Sequence, residues 1–248
     1  ISSAASDVYK RQCQGTAQRA SGSRPAVSRH ALWWLATVPL LPLALPLALH
    51  TRRTALRLPI AQGEPGGIAA AHLPGEPLRL LLIGESTVAG VGGTRFDQSL
   101  ASCLAAALAE RLGRPVRWRA CGENGITASA ACERLLPLAL AEPADLALLV
   151  FGVNDTTHLT PSRRWQQALT AMADALGGRG CRVAFSAVPP LQHFSALPWL
   201  LRQLMGWRAS LLDCELQRLA QRLGALHCQL DIPFEPAYIA EDGYHPCL

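Results

Sequence analysis

Three side chains in this sequence have the types needed for nucleophilic acyl transfer: Ser86, His245 and Asp242. A serine hydroxyl is a poor nucleophile until a base within hydrogen-bond reach takes its proton. His245 can be that base. Asp242, three residues earlier, can hold the second ring nitrogen, fix the tautomer and stabilise the imidazolium that forms. A tetrahedral intermediate also needs hydrogen-bond donors. The backbone N–H groups of Ser86 and Gly125 and the side-chain amide of Asn154 are the candidates for that oxyanion hole. Loss of one such donor lowers turnover by about 10²–10³. Ser86 stands in Gly84-Glu85-Ser86-Thr87-Val88, without the second glycine of a G-x-S-x-G elbow, so an α/β-hydrolase architecture is not expected.

Residues this far apart in sequence need a scaffold to bring them together, and the hydrophobic pattern supplies one. Leu78–Ile83 is a nearly unbroken apolar run ending at Gly84, as in a buried parallel strand. Residues 98–112 carry Leu100, Cys103, Leu104, Ala107, Leu108 and Leu112 at helical spacing, stopped by Gly113. Further strands are expected at 116–120, 145–153, 181–188 and 225–232, and further helices at 127–140, 162–176 and 197–223. Thr127 and Ser162 stand where N-caps would. Strand and helix alternate five times, which predicts an α/β fold with a parallel sheet covered by helices on both faces. Right-handed crossovers set all strand C-termini on one edge, where ligands bind. Ser86, Gly125, Asn154 and the Pro189 loop all follow strand ends. A nucleotide-binding reading fails because no Gly-rich loop follows the first strand, and Glu85 would repel a phosphate.

Four ordered blocks, Gly84-Glu85-Ser86, Gly125, Gly152-Val153-Asn154-Asp155 and Asp242-Gly243-Tyr244-His245, resemble those of the SGNH hydrolases, or GDSL esterases and lipases. The resemblance covers Leu78 to Pro246. It implies a flavodoxin-like three-layer α/β/α sandwich with a five-stranded parallel sheet in the order 2-1-3-4-5. It also implies cofactor-free and metal-free hydrolysis of esters through an acyl-serine, with Ser86, Asp242 and His245 as triad and Ser86, Gly125 and Asn154 as oxyanion hole. Glu85 stands where the family usually has aspartate; it is expected to hold the loop and, with Pro189, Leu191 and Phe194, to belong to a substrate pocket. Asp155 is expected to organise its loop. Alternatives within the fold are a thioesterase or a carbohydrate O-deacetylase; outside it, a non-catalytic membrane-anchored binding module.

The first third of the chain has another character. Ala31–Leu49 is a 19-residue run without charge, just long enough to span a hydrocarbon core. Trp33 and Trp34 lie near one end, and arginines flank both: Arg24 and Arg29 before, Arg52, Arg53 and Arg57 after. Residues 31–49 are expected to be a transmembrane or signal-anchor segment of a bacterial inner-membrane protein, with a periplasmic, secreted or cytoplasmic location as the alternative. Residues 50–77, rich in Gly and Pro, are expected to be a linker, and 78–248 the hydrolase domain. Residues 1–30 form a leader in which Asp7-Val8-Tyr9-Lys10-Arg11-Gln12 resembles a translated sequencing adapter. The first dozen and the last two residues are therefore expected to be artefactual, and the hydrolase domain to be cut short at its C-terminal end. The net charge of +5 is scattered, without the basic run a nucleic-acid partner would need. None of the eight cysteines forms a C-x-x-C pair, which argues against a zinc site, and several fall in apolar patterns as small hydrophobes.

Overall fold

Gly66–Ala69 (β1), Leu78–Gly84 (β2), Val116–Gly122 (β3), Leu146–Val150 (β4), Arg182–Ser186 (β5) and Leu226–Cys228 (β6) form one sheet in the order β1-β3-β2-β4-β5-β6. The computed structural model describes residues 28–56, 58–230 and 240–245. All pairings are parallel except β1 with β3. Without β1, the order is the one that the family resemblance implies. The last strand was expected over 225–232; β6 spans Leu226–Cys228, and residues 231–232 lie outside the described residues.

β1 corrects the expectation of a plain linker over 50–77. Its glycines do not mark a free tether. Gly67 lies across Trp118 of β3, where an added Cβ would come within 3.2 Å of the indole ring. A side chain at this edge-strand position would have to push the ring aside by a few tenths of an ångström, so glycine fits it without adjustment. Nearby, Ile60 and Gln62 bridge to Val91 and Arg95. Much of this stretch thus packs on the loop that follows β2.

Helices cover both faces. Leu100–Leu112 (α3), capped by the Ser99 hydroxyl, packs with Leu80 and Leu82 on one side. Leu81 and Ile83 point to the other side, into a larger core shared with Ala128–Arg134 (α4), Leu136–Ala139 (α5), Ser162–Gly177 (α7) and Trp199–Leu223 (α8). Each such buried leucine or isoleucine contributes about 1.5–3 kcal/mol. A single helix was expected over 127–140. It divides because Pro137 has no N–H for the Glu133 carbonyl. Ser162 is the first residue of α7 rather than its cap; Pro161 precedes the helix and makes no side-chain bond. The six described cysteines are free thiols.

The apolar N-terminal run is helical: Arg29–Thr37 (α1), a 3₁₀ turn at Val38–Leu40, and Leu41–Thr54 (α2). The turn tightens because Pro42 cannot donate to the Val38 carbonyl, which accepts from Leu41 instead. One stripe of this helix faces the domain. Trp33 is fully buried and Thr37, Ala44 and Thr51 nearly so. Trp33 Nε1 donates to the Leu204 carbonyl at 2.8 Å, and His30 Nε2 meets Glu215 at 2.8 Å, so α1 runs antiparallel to α8.

Candidate active site

The sheet register lines up the strand ends. Gly84 of β2 pairs with Gly122 of β3 on one side and Val150 of β4 on the other. Ser86, Gly125 and Asn154 follow these residues by two, three and four positions, on the edge where parallel sheets bind ligands.

Ser86 opens a tight turn. Its carbonyl accepts from Val91 N–H at 3.0 Å, while the Glu85 carbonyl accepts from Val88 and Ala89 at 3.0 Å. The Glu85 side chain points inward. Its carboxyl accepts from Gly152 N–H at 2.7 Å and from Asn154 N–H at 3.2 Å, tying the serine turn to the asparagine loop. Glu85 is 4% exposed, so it braces the loop from beneath and offers little surface to a pocket. Burial, helped by the neighbouring Asp155 charge, pushes its pKa up to about 8 against the opposing hydrogen bonds from Gly152, Asn154 and Val153.

Asn154 is the second residue of the short helix Val153–Thr157 (α6). Its Nδ2 donates to the Ile126 carbonyl at 3.1 Å, which joins it to the Gly125–Ile126 turn. An amide carries two hydrogens, and this bond uses one. Gly125 has φ +78°, the left-handed region, with no heavy atom within 4 Å of where a Cβ would point. Asp155 is fully buried and accepts from Ala128 N–H at 2.9 Å, so it caps α4. That is the role expected of Thr127, whose side chain makes no cap bond. Burial is the main cause that raises the Asp155 pKa.

The histidine loop closes on itself. Asp242 Oδ1 accepts from the backbone of Tyr244 (3.0 Å) and His245 (3.1 Å), and its Oδ2 meets His245 Nδ1 at 2.5 Å. Burial works against ionisation of Asp242, but the two backbone donors and the imidazole outweigh it and hold its pKa below the ordinary value. With Nδ1 engaged, Nε2 is the nitrogen left for a nucleophile. The loop is wedged between two others. A Cβ at Gly92, next to the Val91 that bonds Ser86, would lie 3.7 Å from His245 Cβ. On the other side Ala196 N–H reaches the Gly243 carbonyl, and Phe194 meets Tyr244 edge-on with centroids 6.0 Å apart. The histidine loop thus packs against the turn that carries Ser86.

The pocket residues read from the sequence fall differently. Leu191 is fully buried in the core and Phe194 nearly so, where it supports the histidine loop; Pro189 is half-buried. One residue that bonds the segment after Asn154 carries no motif. Arg208 of α8 is buried, donates from Nη2 to the Thr160 carbonyl at 2.6 Å, and lies over the Trp33 ring at 5.1 Å. The signal for Arg208 was its place in the sequence: a charge four residues from both Leu204 and Leu212, on an apolar helix face.

The model of the GDSL-like lipase/acylhydrolase family matches residues 82–246. A GDSL-like esterase of Mycobacterium tuberculosis is 26% identical over 177 residues, covering 68% of this chain and 56% of its own length. The chain therefore spans little more than half of that relative. Solved structures share the fold. AlinE4, an SGNH-hydrolase family esterase, superposes with TM-score 0.55 at 21% identity, over 70% of this chain and 88% of that one. The esterase EstA from Pseudoalteromonas sp. gives 0.53 at 19%, over 68% and 87%.

Proposed function

Because the chain belongs to the GDSL-like lipase/acylhydrolase family, we propose that it hydrolyses carboxylic esters through an acyl-serine intermediate. The observation that carries this reading is the Asp242–His245 pair, bonded through Nδ1 and packed beside the turn of Ser86. Ser86 Oγ attacks the ester carbonyl carbon while His245 Nε2 takes the hydroxyl proton. The carbonyl π electrons move to oxygen, where the N–H groups of Ser86 and Gly125 and the free hydrogen of the Asn154 amide receive the charge. Collapse breaks the bond to the alcohol oxygen, and the imidazolium returns the proton to that leaving group. A water, deprotonated by the same nitrogen, then attacks the acyl-serine and releases the acid. Asp242, kept ionised by its backbone donors, steadies the imidazolium in both halves.

The helix Arg29–Thr54, with mean hydropathy 1.8 in its most apolar window, supports a second element of the reading: contact with a membrane. Leu35, Leu43 and Leu45 are about 60% exposed on the side away from the domain, and Arg52 and Arg53 close its last turn.

The test is turnover of short-chain p-nitrophenyl esters. Ser86→Ala is expected to lower kcat by at least about 10³-fold with the fold intact. Full turnover in that variant would reject the mechanism.

A further inference from the structure

We infer that the N-terminal helix is part of the catalytic apparatus, with Trp33 acting as a positioning residue that holds Asn154 in place through Arg208. This rests on the proposed role of Asn154 as an oxyanion donor. Trp33 lies far outside residues 82–246, the part of the chain that the family model accounts for. It is nonetheless fully buried, pinned by its Nε1 bond to the Leu204 carbonyl, one turn before Arg208 on α8. The Arg208 guanidinium sits 5.1 Å above the indole ring and is 2% exposed. A buried guanidinium stays where its few partners hold it, because leaving one unpaired is expensive. Here the partners are the ring of Trp33, the Thr160 carbonyl at 2.6 Å, and the carboxylates of Asp155 and Glu215, whose charges act on it.

Those partners lead to the oxyanion segment. Thr160 N–H donates to the Asp155 carbonyl at 3.0 Å, and His158 returns to the Asn154 carbonyl through both its N–H and Nδ1, each at 2.8 Å. The Asp155 side chain fixes Ala128, and the Asn154 amide fixes Ile126, beside Gly125. Residues 154–160 are thus held on the sheet side by Glu85 and on the α8 side by Arg208. The N-terminal helix helps to close Arg208 from water by placing the Trp33 ring against it. Without the indole, the guanidinium can turn outward to solvent, release Thr160 and remove one of the positive charges that offset the Asp155 carboxylate. The Asn154 amide would then lose its aim at an oxygen that carries charge only in the transition state, so the loss falls on kcat rather than on KM.

The experiment is a double-mutant cycle in the full chain. It reads kcat and KM on p-nitrophenyl esters and the rate at which a fluorophosphonate labels Ser86. Trp33→Leu is expected to lower kcat and labelling rate about tenfold with KM changed less than twofold, and Trp33→Phe, which keeps a ring under Arg208, to recover most of it. In an Asn154→Ala background Trp33→Leu is expected to change either rate less than twofold. Arg208→Lys gives the same pattern and stands in if Trp33→Leu does not fold. Effects that multiply in the Asn154→Ala background, or equal losses in Trp33→Phe and Trp33→Leu, would overturn the inference. Failure of the active-site reading itself appears elsewhere, as undiminished turnover in Ser86→Ala.

Discussion

At the scale of single residues, Glu85 is the least conventional feature of the site. A carboxyl one position before the nucleophile is driven under the sheet edge, where it receives the N–H groups of Gly152 and Asn154. Its position next to Ser86 was legible in the sequence, and so was a loop-holding role. Its burial was not, because the N–H groups that donate to it come from the end of another strand, β4. Burial raises its pKa from 4.5 to about 8. Between those values the folded state keeps a proton that the unfolded chain has released. The Glu85 contribution to stability is therefore constant below about pH 4.5 and falls as pH rises toward 8, by at most about 1.4 kcal/mol per pH unit. Glu85→Gln keeps an oxygen that can accept the same N–H bonds and does not titrate. Its melting temperature relative to the parent is expected to rise between pH 5 and pH 9 in thermal unfolding scans. Parallel Tm-against-pH curves for the two proteins would remove this account.

At the scale of elements, the site exists because three strand ends stay in register, and close approach between backbones keeps them there. Gly122 ends β3 against the serine turn. A Cβ at that position would lie 2.2 Å from Ala89 N and 2.5 Å from the Val88 carbonyl carbon. Both are main-chain atoms and cannot swing aside. Gly122→Ala is therefore expected to push the turn away from β3, with a loss of about 1–3 kcal/mol in stability and at least a tenfold fall in kcat. Denaturant unfolding and ester kinetics on one preparation measure both; an unchanged kcat would show that the turn tolerates the shift. The strands flanking Ser86 and Asn154 were legible because parallel strands buried on both faces read as continuous apolar runs, as at Leu80–Ile83. β1 was not, since the property that lets Gly67 cross Trp118 is the same absence of a side chain that reads as a linker. The capping of α4 by Asp155 was equally hidden, because sequence rules look for caps beside the helix and this one arrives from α6, beyond the next strand.

At the scale of the whole molecule, the question is how an apolar helix and a charged domain share one boundary. The residues of Arg29–Thr54 that face the domain follow a near-heptad stripe through His30, Trp33, Thr37, Ala44, Leu47 and Thr51. Such spacing lays one side of a helix continuously along its support. The other sides expose Leu32, Leu35, Val38, Leu43, Leu45 and Leu49. If this helix crossed a bilayer along its axis, the adjoining α8 would be drawn in with it, bringing Glu215, Gln203 and Arg218 toward the hydrocarbon. Charged side chains at the bilayer centre cost about 2.5–3.5 kcal/mol each. Releasing the helix instead would break the Trp33 and His30 contacts. Lying in the interface avoids both penalties: the exposed leucines enter the acyl boundary while arginines meet anionic headgroups. The full chain bound to sealed vesicles of phosphatidylethanolamine and phosphatidylglycerol is therefore expected to present both ends of the helix on one side. A protease added outside should remove an epitope tag placed before Ser28 from the same molecules whose domain hydrolyses a membrane-impermeant ester outside. A tag protected until detergent is added, on molecules with outward-facing activity, would mean that the helix spans. The stack of Trp33 on Arg208 would then have to be abandoned along with the in-plane arrangement, since the two share one set of contacts.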